Sequence, residues 1–541
     1  MKKKHYLLIL PLLASSLVSC NEEDNSSNSR TPFRLVTEEG QKVTFVGKEG
    51  VPFLMKSAVF RADLFINADN SEVASLEEYF ALAKETGLSC IELPFMWKQV
   101  EKEYDVYDYS DISSYLDYAK KYDLKINLLW YGSFTDGETH TNNLPSYISN
   151  DTSNYPLIQY CYPSSVYGDC VIMDWSNSNL MNREYKALKN LMDYVYSWNK
   201  DNSNYDPILM VQLGAGLDRL DRWRINQYEI NFNNEKMSSE TAWELVRGYA
   251  NNIGKAVKDS SYKALTRVEF CEQQAVTNYV RNVFSLDYVD MVNTSYLHTI
   301  AQSKTGIRNF DDEFGEEIPI INSENWCNND NYKIALASFA LGGSGFASYH
   351  LSSPLYYPLE TNQGVLYRRR NDNGTTLSER FADINSRASN LKMVNSMLDK
   401  GYVAVAKSKR ANFALFGLDN LLGEDESSKQ YMNNGIMFEY ASSNKDKLGY
   451  CIYNSNYLYV ISNVDAYITI SNCLTSVASS GYFSSSSMWV KEEEVNLNKE
   501  QQITLEANKL YRIRVSNIGE LPSYDELSSL GYKSITDAIR G

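Results

Sequence analysis

Carboxylates that follow apolar runs are the residues of this chain best suited to chemistry. Glu324 comes directly after the run 318–323, and Glu272 directly after the run 266–271. A carboxylate that ends an apolar strand is hard to explain as a solvated surface residue, although a buried glutamate capped by loop amides also fits. Such carboxylates act as nucleophiles, general acids or bases, or they recognise hydroxyl groups.

A second group of carboxylates lies further up the chain, where Asp218 and Asp221 alternate with Arg219 and Arg222. The two aspartates are about one helical turn apart, so one loop could carry both to the same place. The neighbouring arginines favour the other interpretation, a surface ion-pair cluster. Both hypotheses stay open.

The elements that position these residues follow from the spacing of apolar runs, which predicts eight βα units between about residues 51 and 350. The predicted strands are 53–60, 88–94, 125–130, 208–213, 266–271, 289–295, 318–323 and 345–349. Helical patterns cover 75–86, 111–122, 180–198, 239–258, 274–284 and 331–341. We expect an α/β fold, a (β/α)8 TIM barrel, whose C-terminal face gathers the candidate residues. The long connection 131–179 is then a wall of that face.

The pattern changes after a helical passage at 378–398. Short alternating strands separated by turn residues predict a C-terminal all-β sandwich. These strands are 402–406, 411–418, 435–440, 447–453, 457–462, 467–470 and 511–515. The expected divisions are a barrel with an N-terminal hairpin at 32–398, a β-sandwich at 399–518 and a helical tail at 519–541.

The N-terminus has the organisation of an export signal. Lys2, Lys3 and Lys4 precede a short apolar run, and residues 17–20 are Leu-Val-Ser-Cys. This match to the lipobox of bacterial lipoproteins predicts a signal peptide at 1–20 and acylation of Cys20. Residues 21–31 contain no apolar side chain and predict a flexible tether. We therefore expect a protein anchored by lipid in the cell envelope, at the outer membrane.

Charge and composition narrow the partners. The net charge of -16 disfavours nucleic acid and anionic lipid surfaces and suits neutral ligands. Eight cysteines include Cys20, so an odd number remains, of which Cys161 and Cys170 could close a small disulfide. The four histidines and the cysteines have no metal-ligand spacing, and we expect neither a metal nor another cofactor.

Three segments carry a resemblance to a known family. Residues 90–101, Cys-Ile-Glu-Leu-Pro-Phe-Met-Trp-Lys-Gln-Val-Glu, are followed by Tyr-Asp-Tyr-Ser at 107–110. This segment resembles strand two of glycoside hydrolase families 35 and 42, the β-galactosidase-like enzymes of clan A, without the glycine of their Gly-x-Tyr-Asp-Phe phrase. Leu-Pro-Ser-Tyr-Ile at 144–148 resembles the loop after their strand three, and residues 206–212 resemble their strand four.

The resemblance implies a glycan ligand, an oligo- or polysaccharide, and roles for individual residues. Retaining enzymes of this clan use two carboxylates about 5 to 5.5 Å apart, and Glu324 matches the nucleophile at the end of strand seven. Tyr296 matches a tyrosine that hydrogen-bonds the nucleophile. The other expected substrate-binding residues are Trp97, Glu101, Trp130, Trp326 and His350. Packing at the barrel rim would explain each of the aromatic rings equally well.

Strand four departs from the family. Where the family has Gln-Val-Glu-Asn-Glu, residues 212–216 are Gln-Leu-Gly-Ala-Gly, so Gly216 replaces the acid/base glutamate. Loss of a general acid forfeits about 10² to 10⁴ in rate. Three hypotheses remain: Asp218 or Asp221 supplies the proton, Glu272 supplies it, or the barrel binds glycan without cleaving it.

Overall fold

The computed structural model describes most of the first half of the barrel and shorter segments elsewhere. The described residues are 29–36, 44–47, 50, 52–60, 76–133, 143–161, 169–214, 230–232, 235–237, 239–270, 288–295, 321–326, 345–349, 390–399, 413–416, 429–431, 437–441, 448–454, 457–471, 477–482, 493–496, 501–514 and 529. The predicted signal peptide 1–20, the helices 274–284 and 331–341 and the strand 402–406 lie outside these residues.

Eight parallel strands form the closed barrel that the apolar runs predict. In chain order they are β1 Met55–Ala58, β2 Cys90–Phe95, β3 Lys125–Trp130, β4 Ile208–Leu213, β5 Leu265–Phe270, β6 Met291–Ser295, β7 Ile321–Trp326 and β8 Gly345–Tyr349. Each strand pairs with its neighbours in chain order, and β8 pairs with β1. A parallel bridge between Val59 and Glu92 joins β1 to β2 and closes the ring.

Burial on both faces explains why the barrel strands are apolar runs rather than alternating ones. Every residue of β2 and β4 is buried. One face of each strand packs against helices, and the other fills the barrel interior, so both faces favour apolar side chains. Three strands, β3, β4 and β8, have the bounds that the sequence predicts.

Helices follow the first four barrel strands in the order expected of βα units. They are α1 Leu76–Glu85, α2 Ser110–Lys121, α3 Ser178–Asp201 and α4 Ser239–Asp259, and residues 390–399 are also helical. Single helical turns occur at Trp97–Val100 and Ser146–Ser149. No helix within the described ranges is long and apolar enough to cross a membrane.

The N-terminus of α3 depends on a side-chain cap. The Oδ1 atom of Asn177 accepts a hydrogen bond of 2.9 Å from the backbone N–H of Leu180. We expect Asn177→Ala to lower the free energy of unfolding by about 1 kcal/mol, because it removes that acceptor. Urea unfolding measures the change, and Asn179→Ala, an exposed asparagine in the same turn, is the matched control. Equal losses for the two variants would contradict the cap.

Short antiparallel sheets surround the barrel. Phe33–Val36, Thr44–Gly47 and Pro52–Phe53 form a three-stranded antiparallel sheet. Phe33 and Phe45 belong to the same buried cluster as the interior residue Met55. Three two-stranded hairpins lie in the connections after β2, β3 and β4. They are Glu101–Glu103 with Val106–Tyr107, Leu157–Cys161 with Asp169–Met173, and Ile230–Phe232 with Glu235–Met237.

The hairpin after β3 contains the two cysteines of the predicted disulfide. Cys161 pairs with Asp169, and Cys170 pairs with Tyr160. The two cysteines are therefore offset by one position in the register, and the disulfide stays a prediction.

The described residues after the barrel include ten strands, all paired antiparallel. They are β9 Phe413–Phe416, β10 Lys429–Tyr431, β11 Met437–Ala441, β12 Gly449–Asn454, β13 Tyr457–Ser462, β14 Ala466–Ser471, β15 Val477–Tyr482, β16 Glu493–Asn496, β17 Gln501–Leu505 and β18 Leu510–Arg514. One sheet has the order β9-β12-β13-β18-β15-β16, and the other has the order β10-β11-β14-β17. Their packing as a sandwich stays a prediction.

Candidate functional site

The C-terminal ends of β5 to β8 lie side by side, because these strands are parallel neighbours in the sheet. Glu324 lies in β7, two residues before the strand ends at Trp326. The register between β7 and β8 shifts between Asn322 and Asn325, so Glu324 falls inside a local irregularity. Bulges of this kind redirect a side chain and are common next to active sites.

Several predicted site residues lie outside the described residues: Cys20, Asp218, Asp221, Glu272, Tyr296 and His350. For Glu324 and Trp326 the structure describes the backbone only. In the chain, Tyr296 is the residue after β6 and His350 is the residue after β8. Glu272 comes two residues after β5. Their place on the C-terminal face of the barrel and their roles stay predictions.

The end of β4 is fixed by hydrogen bonds that involve no carboxylate. Gly214 has a φ of +84° and its N–H donates to the carbonyl oxygen of Trp130 at 2.9 Å. The Nε2 atom of Gln212 donates to the carbonyl oxygen of Gly214 at 3.0 Å. The left-handed backbone at Gly214 requires glycine or a strained residue. The described end of β4, residues 212–214, therefore presents amide groups and no carboxylate.

A layer of polar side chains crosses the barrel interior. Arg267 of β5, which has no exposed surface, pairs with Glu92 of β2 at 2.6 Å between Nη1 and Oε1. Its Nε atom donates to Oε1 of Gln212 at 2.9 Å. Ser57 and Asn127 are also fully buried, and their side-chain polar atoms have no hydrogen-bond partner among the described residues. The barrel interior is therefore charged and polar at this depth.

Glu269 is a carboxylate that lies inside the apolar run 266–271 rather than after it. It occupies the next position on the interior face of β5 after Arg267, towards the C-terminal end, and is 1% exposed. Two charged residues two positions apart in an apolar strand, Arg267 and Glu269, are the sequence feature that could have identified it. Within the described ranges no group of three or more His, Cys, Asp or Glu residues could hold a metal ion.

Trp97 and Glu101, two of the expected substrate-binding residues, form a buried pair. Neither side chain has exposed surface, and the Nε1 atom of Trp97 donates to Oε2 of Glu101 at 3.0 Å. Glu101 also accepts from the backbone N–H of Asp105 at 2.8 Å and forms an ion pair with Arg183. These contacts tie the loop after β2 to α3, and they leave no surface for a sugar.

Trp130 is likewise buried, on the face of β3 that packs against helices rather than in the bowl. Its Nε1 atom donates to Oε1 of Glu184 at 2.9 Å. Glu184 also accepts from the backbone N–H and the hydroxyl of Ser133 and from the hydroxyl of Tyr249. Burial raises the pKa of the Glu184 carboxyl, and these donors oppose that rise.

The connection after β3 begins at a glycine that Glu184 requires. Gly132 has a φ of +46°, and a Cβ atom at this position would overlap Oε1 of Glu184. Glu184 thus receives three donors from residues 130–133, the Trp130 indole N–H and the backbone N–H and hydroxyl of Ser133, because Gly132 lets the chain approach closely. The arrangement anchors one wall of the predicted site.

Comparison with known proteins found distant similarities to solved structures. No protein family and no curated protein match the chain. A solved structure described as a glycoside hydrolase is 11% identical, with a TM-score of 0.42, over 90% of this chain and 98% of that one. A GH30 endoxylanase from Clostridium papyrosolvens C71 is 11% identical, with a TM-score of 0.40, over 86% of this chain and 97% of that one. A β-galactosidase from Marinomonas ef1 is 7% identical, with a TM-score of 0.45, over 66% of this chain and 62% of that one. Likeness at this level carries no argument about activity.

Proposed function

We propose that the chain is an exported glycoside hydrolase of the β-galactosidase-like clan A type, in which Glu324 is the nucleophile. The observation that carries this proposal is the position of Glu324 near the C-terminal end of β7 in a closed eight-stranded barrel. Active sites of such barrels are built at that end. The motifs at 90–110, 144–148 and 206–212 support the same function.

The proton donor is the open part of this mechanism. Glu272, Asp218 and Asp221 keep the roles that the sequence predicts for them, and Glu269 joins them as a fourth candidate because it lies on the interior face of β5. A retaining mechanism requires one of these carboxyls about 5 to 5.5 Å from that of Glu324, and an inverting mechanism requires about 6.5 to 9.5 Å.

The remaining predicted assignments complete the proposal. Tyr296 hydrogen-bonds the nucleophile, and Trp326 and His350 contact the sugar. Cys20 carries the lipid anchor in the cell envelope. Residues 32–398 form the barrel domain, residues 399–518 a β-sandwich, and residues 519–541 a helical tail.

A second candidate function is a surface protein that binds glycan without cleaving it. The end of β4 favours this alternative, because its described residues 208–214 contain no carboxylate and Gly214 forms backbone hydrogen bonds there. A barrel without a proton donor can hold a sugar but protonates no leaving oxygen.

A glycan panel separates the two functions. Wild-type protein is assayed for binding and for release of reducing ends on neutral polysaccharides, and for turnover of activated aryl glycosides. We expect turnover of aryl glycosides to exceed that of natural linkages, because an aryl leaving group needs no protonation. Binding without turnover of any substrate would contradict the glycoside hydrolase and support the glycan-binding protein. Neither binding nor turnover would contradict both.

A further inference from the structure

The hairpin after β2 presents an exposed aromatic ring. Its strands, Glu101–Glu103 and Val106–Tyr107, are joined by Tyr104 and Asp105, and Asp105 has a φ of +60°. Tyr104 is 61% exposed, more than any other large apolar side chain among the described residues. The ring therefore stands at the tip of a tight turn with more than half of its side chain exposed.

Contacts from two other segments hold this ring in one orientation. The guanidinium carbon of Arg183 lies 4.0 Å from the centre of the Tyr104 ring. The ring of Tyr147 meets it edge-on, with centres 5.7 Å apart and planes at 76°. Arg183 is itself 6% exposed and fixed by its pairing with Glu101. One face of Tyr104 thus rests on a buried cation, which strengthens its attachment.

Polar groups border the same ring. Asp105 pairs with Arg183 at 2.9 Å and with Lys186 at 2.6 Å. Asp105 and Lys186 remain 40% and 51% exposed, so both can bond a ligand hydroxyl. A planar ring beside an exposed carboxylate and an exposed ammonium group is the combination that recognises a pyranose, whose faces are apolar and whose rim is polar.

All parts of this platform, defined as Tyr104, Asp105, Tyr147, Arg183 and Lys186, come from the C-terminal side of the barrel. Tyr104 and Asp105 follow β2, Tyr147 follows β3, and Arg183 and Lys186 lie in the first turns of α3. Loops after strands and helix N-termini of a (β/α)8 barrel share the face that carries Glu324.

A purely structural role for Tyr104 explains only half of the geometry. Covering Arg183 requires one face of the ring, and it does not require the other face to stay in solvent. A ring that is already immobile loses little conformational entropy when a ligand stacks on it. The net charge of -16 repels an acidic polymer and so favours a neutral one over it.

We propose that the platform is a glycan subsite at the rim of the barrel, which stacks a neutral hexopyranose unit of a polysaccharide on the free face of Tyr104. This inference rests on the proposed function, since it extends the glycan beyond the residues around Glu324. It assigns Tyr104 to stacking, and Asp105 and Lys186 to hydroxyl groups.

Affinity electrophoresis in gels that contain neutral polysaccharides tests the subsite. We expect Tyr104→Ala to weaken binding about tenfold, because it removes the stacking surface. Tyr104→Phe keeps the ring and should bind within about twofold of wild type. Val106→Ala changes a side chain of the same hairpin that is 54% exposed and should leave binding unchanged. Thermal unfolding of each variant checks that the hairpin substitutions leave the fold intact.

The outcomes distinguish this inference from the proposed function. If Tyr104→Ala binds polysaccharide as tightly as wild type, the subsite alone is overturned. The same holds if Val106→Ala loses as much binding as Tyr104→Ala. A lower unfolding midpoint in Tyr104→Ala with no such shift in Tyr104→Phe, together with unchanged binding in both, would assign Tyr104 a structural role only. Wild-type protein that neither binds a neutral polysaccharide nor turns over an aryl glycoside would contradict the proposed function first.

Discussion

Glu324→Gln is expected to lower turnover of an activated aryl glycoside by at least about 10³-fold and to leave polysaccharide binding within about threefold of wild type. Glutamine keeps the shape and the hydrogen-bonding capacity of the side chain but cannot form the glycosyl ester. The loss should appear in kcat rather than in KM, because the carboxylate acts on the transition state. Steady-state kinetics on purified protein measures both constants.

Two further variants make this result specific to a nucleophile. Glu85→Gln changes an exposed carboxylate at the end of α1, away from the barrel face, and should retain full turnover. Glu324→Ala with added azide should recover part of the rate and release a glycosyl azide of inverted anomeric configuration. A glutamate that only supports the fold gives no such product, so its absence would remove Glu324 from the mechanism.

Arg267→Met is expected to lower the free energy of unfolding by about 3–5 kcal/mol. The substitution leaves the carboxylate of Glu92 without its cation in a barrel interior where neither side chain is more than 1% exposed. Chemical unfolding followed by tryptophan fluorescence measures the loss. Removing one partner of a buried ion pair lowers stability strongly, whereas replacing both partners by apolar residues changes stability little.

The double variant Glu92→Met with Arg267→Met tests the role of charge in that loss. It should recover most of the stability that Arg267→Met loses, because both charges are removed together. Lys84→Met is the exposed control: Lys84 pairs with Asp123 at 3.2 Å, with exposures of 47% and 78%, and its loss should cost less than about 1 kcal/mol. If the double variant is as unstable as Arg267→Met, the loss of stability comes from the changed packing of the barrel interior rather than from the unpaired charge.

The barrel was predictable from sequence because its strands are buried on both faces. Continuous apolar runs such as 125–130 and 208–213, separated by helical patterns, are typical of the parallel strands of a βα barrel. The strands β10, β15, β16 and β17 were not predicted. They are short or rich in serine, glutamine and glutamate. Their strand conformation therefore depends on pairing with neighbouring strands rather than on a local apolar pattern.

The orientation of side chains at the strand ends was not predictable by the same route. When both faces of a strand are apolar, alternation does not say which face meets the helices, and Trp130 was assigned to the wrong one. Its partner Glu184 lies 54 residues away in the chain. Trp97 and Glu101 were misassigned for a similar reason, since the cation that pairs with the buried Glu101 comes from α3.

The ion pair between Glu92 and Arg267 also bears on how the barrel folds. Glu92 belongs to β2 and Arg267 to β5, so the two charges come from different halves of the ring. A half-barrel of β1 to β4 would hold Glu92 without the guanidinium that pairs with it, and the complementary half would hold Arg267 without the Glu92 carboxylate. Removing an unpaired charge from water destabilises each half alone. The attraction between Glu92 and Arg267 offsets that cost only when the two halves join. Closure of this barrel is thereby made cooperative, and stable half-barrel intermediates are disfavoured.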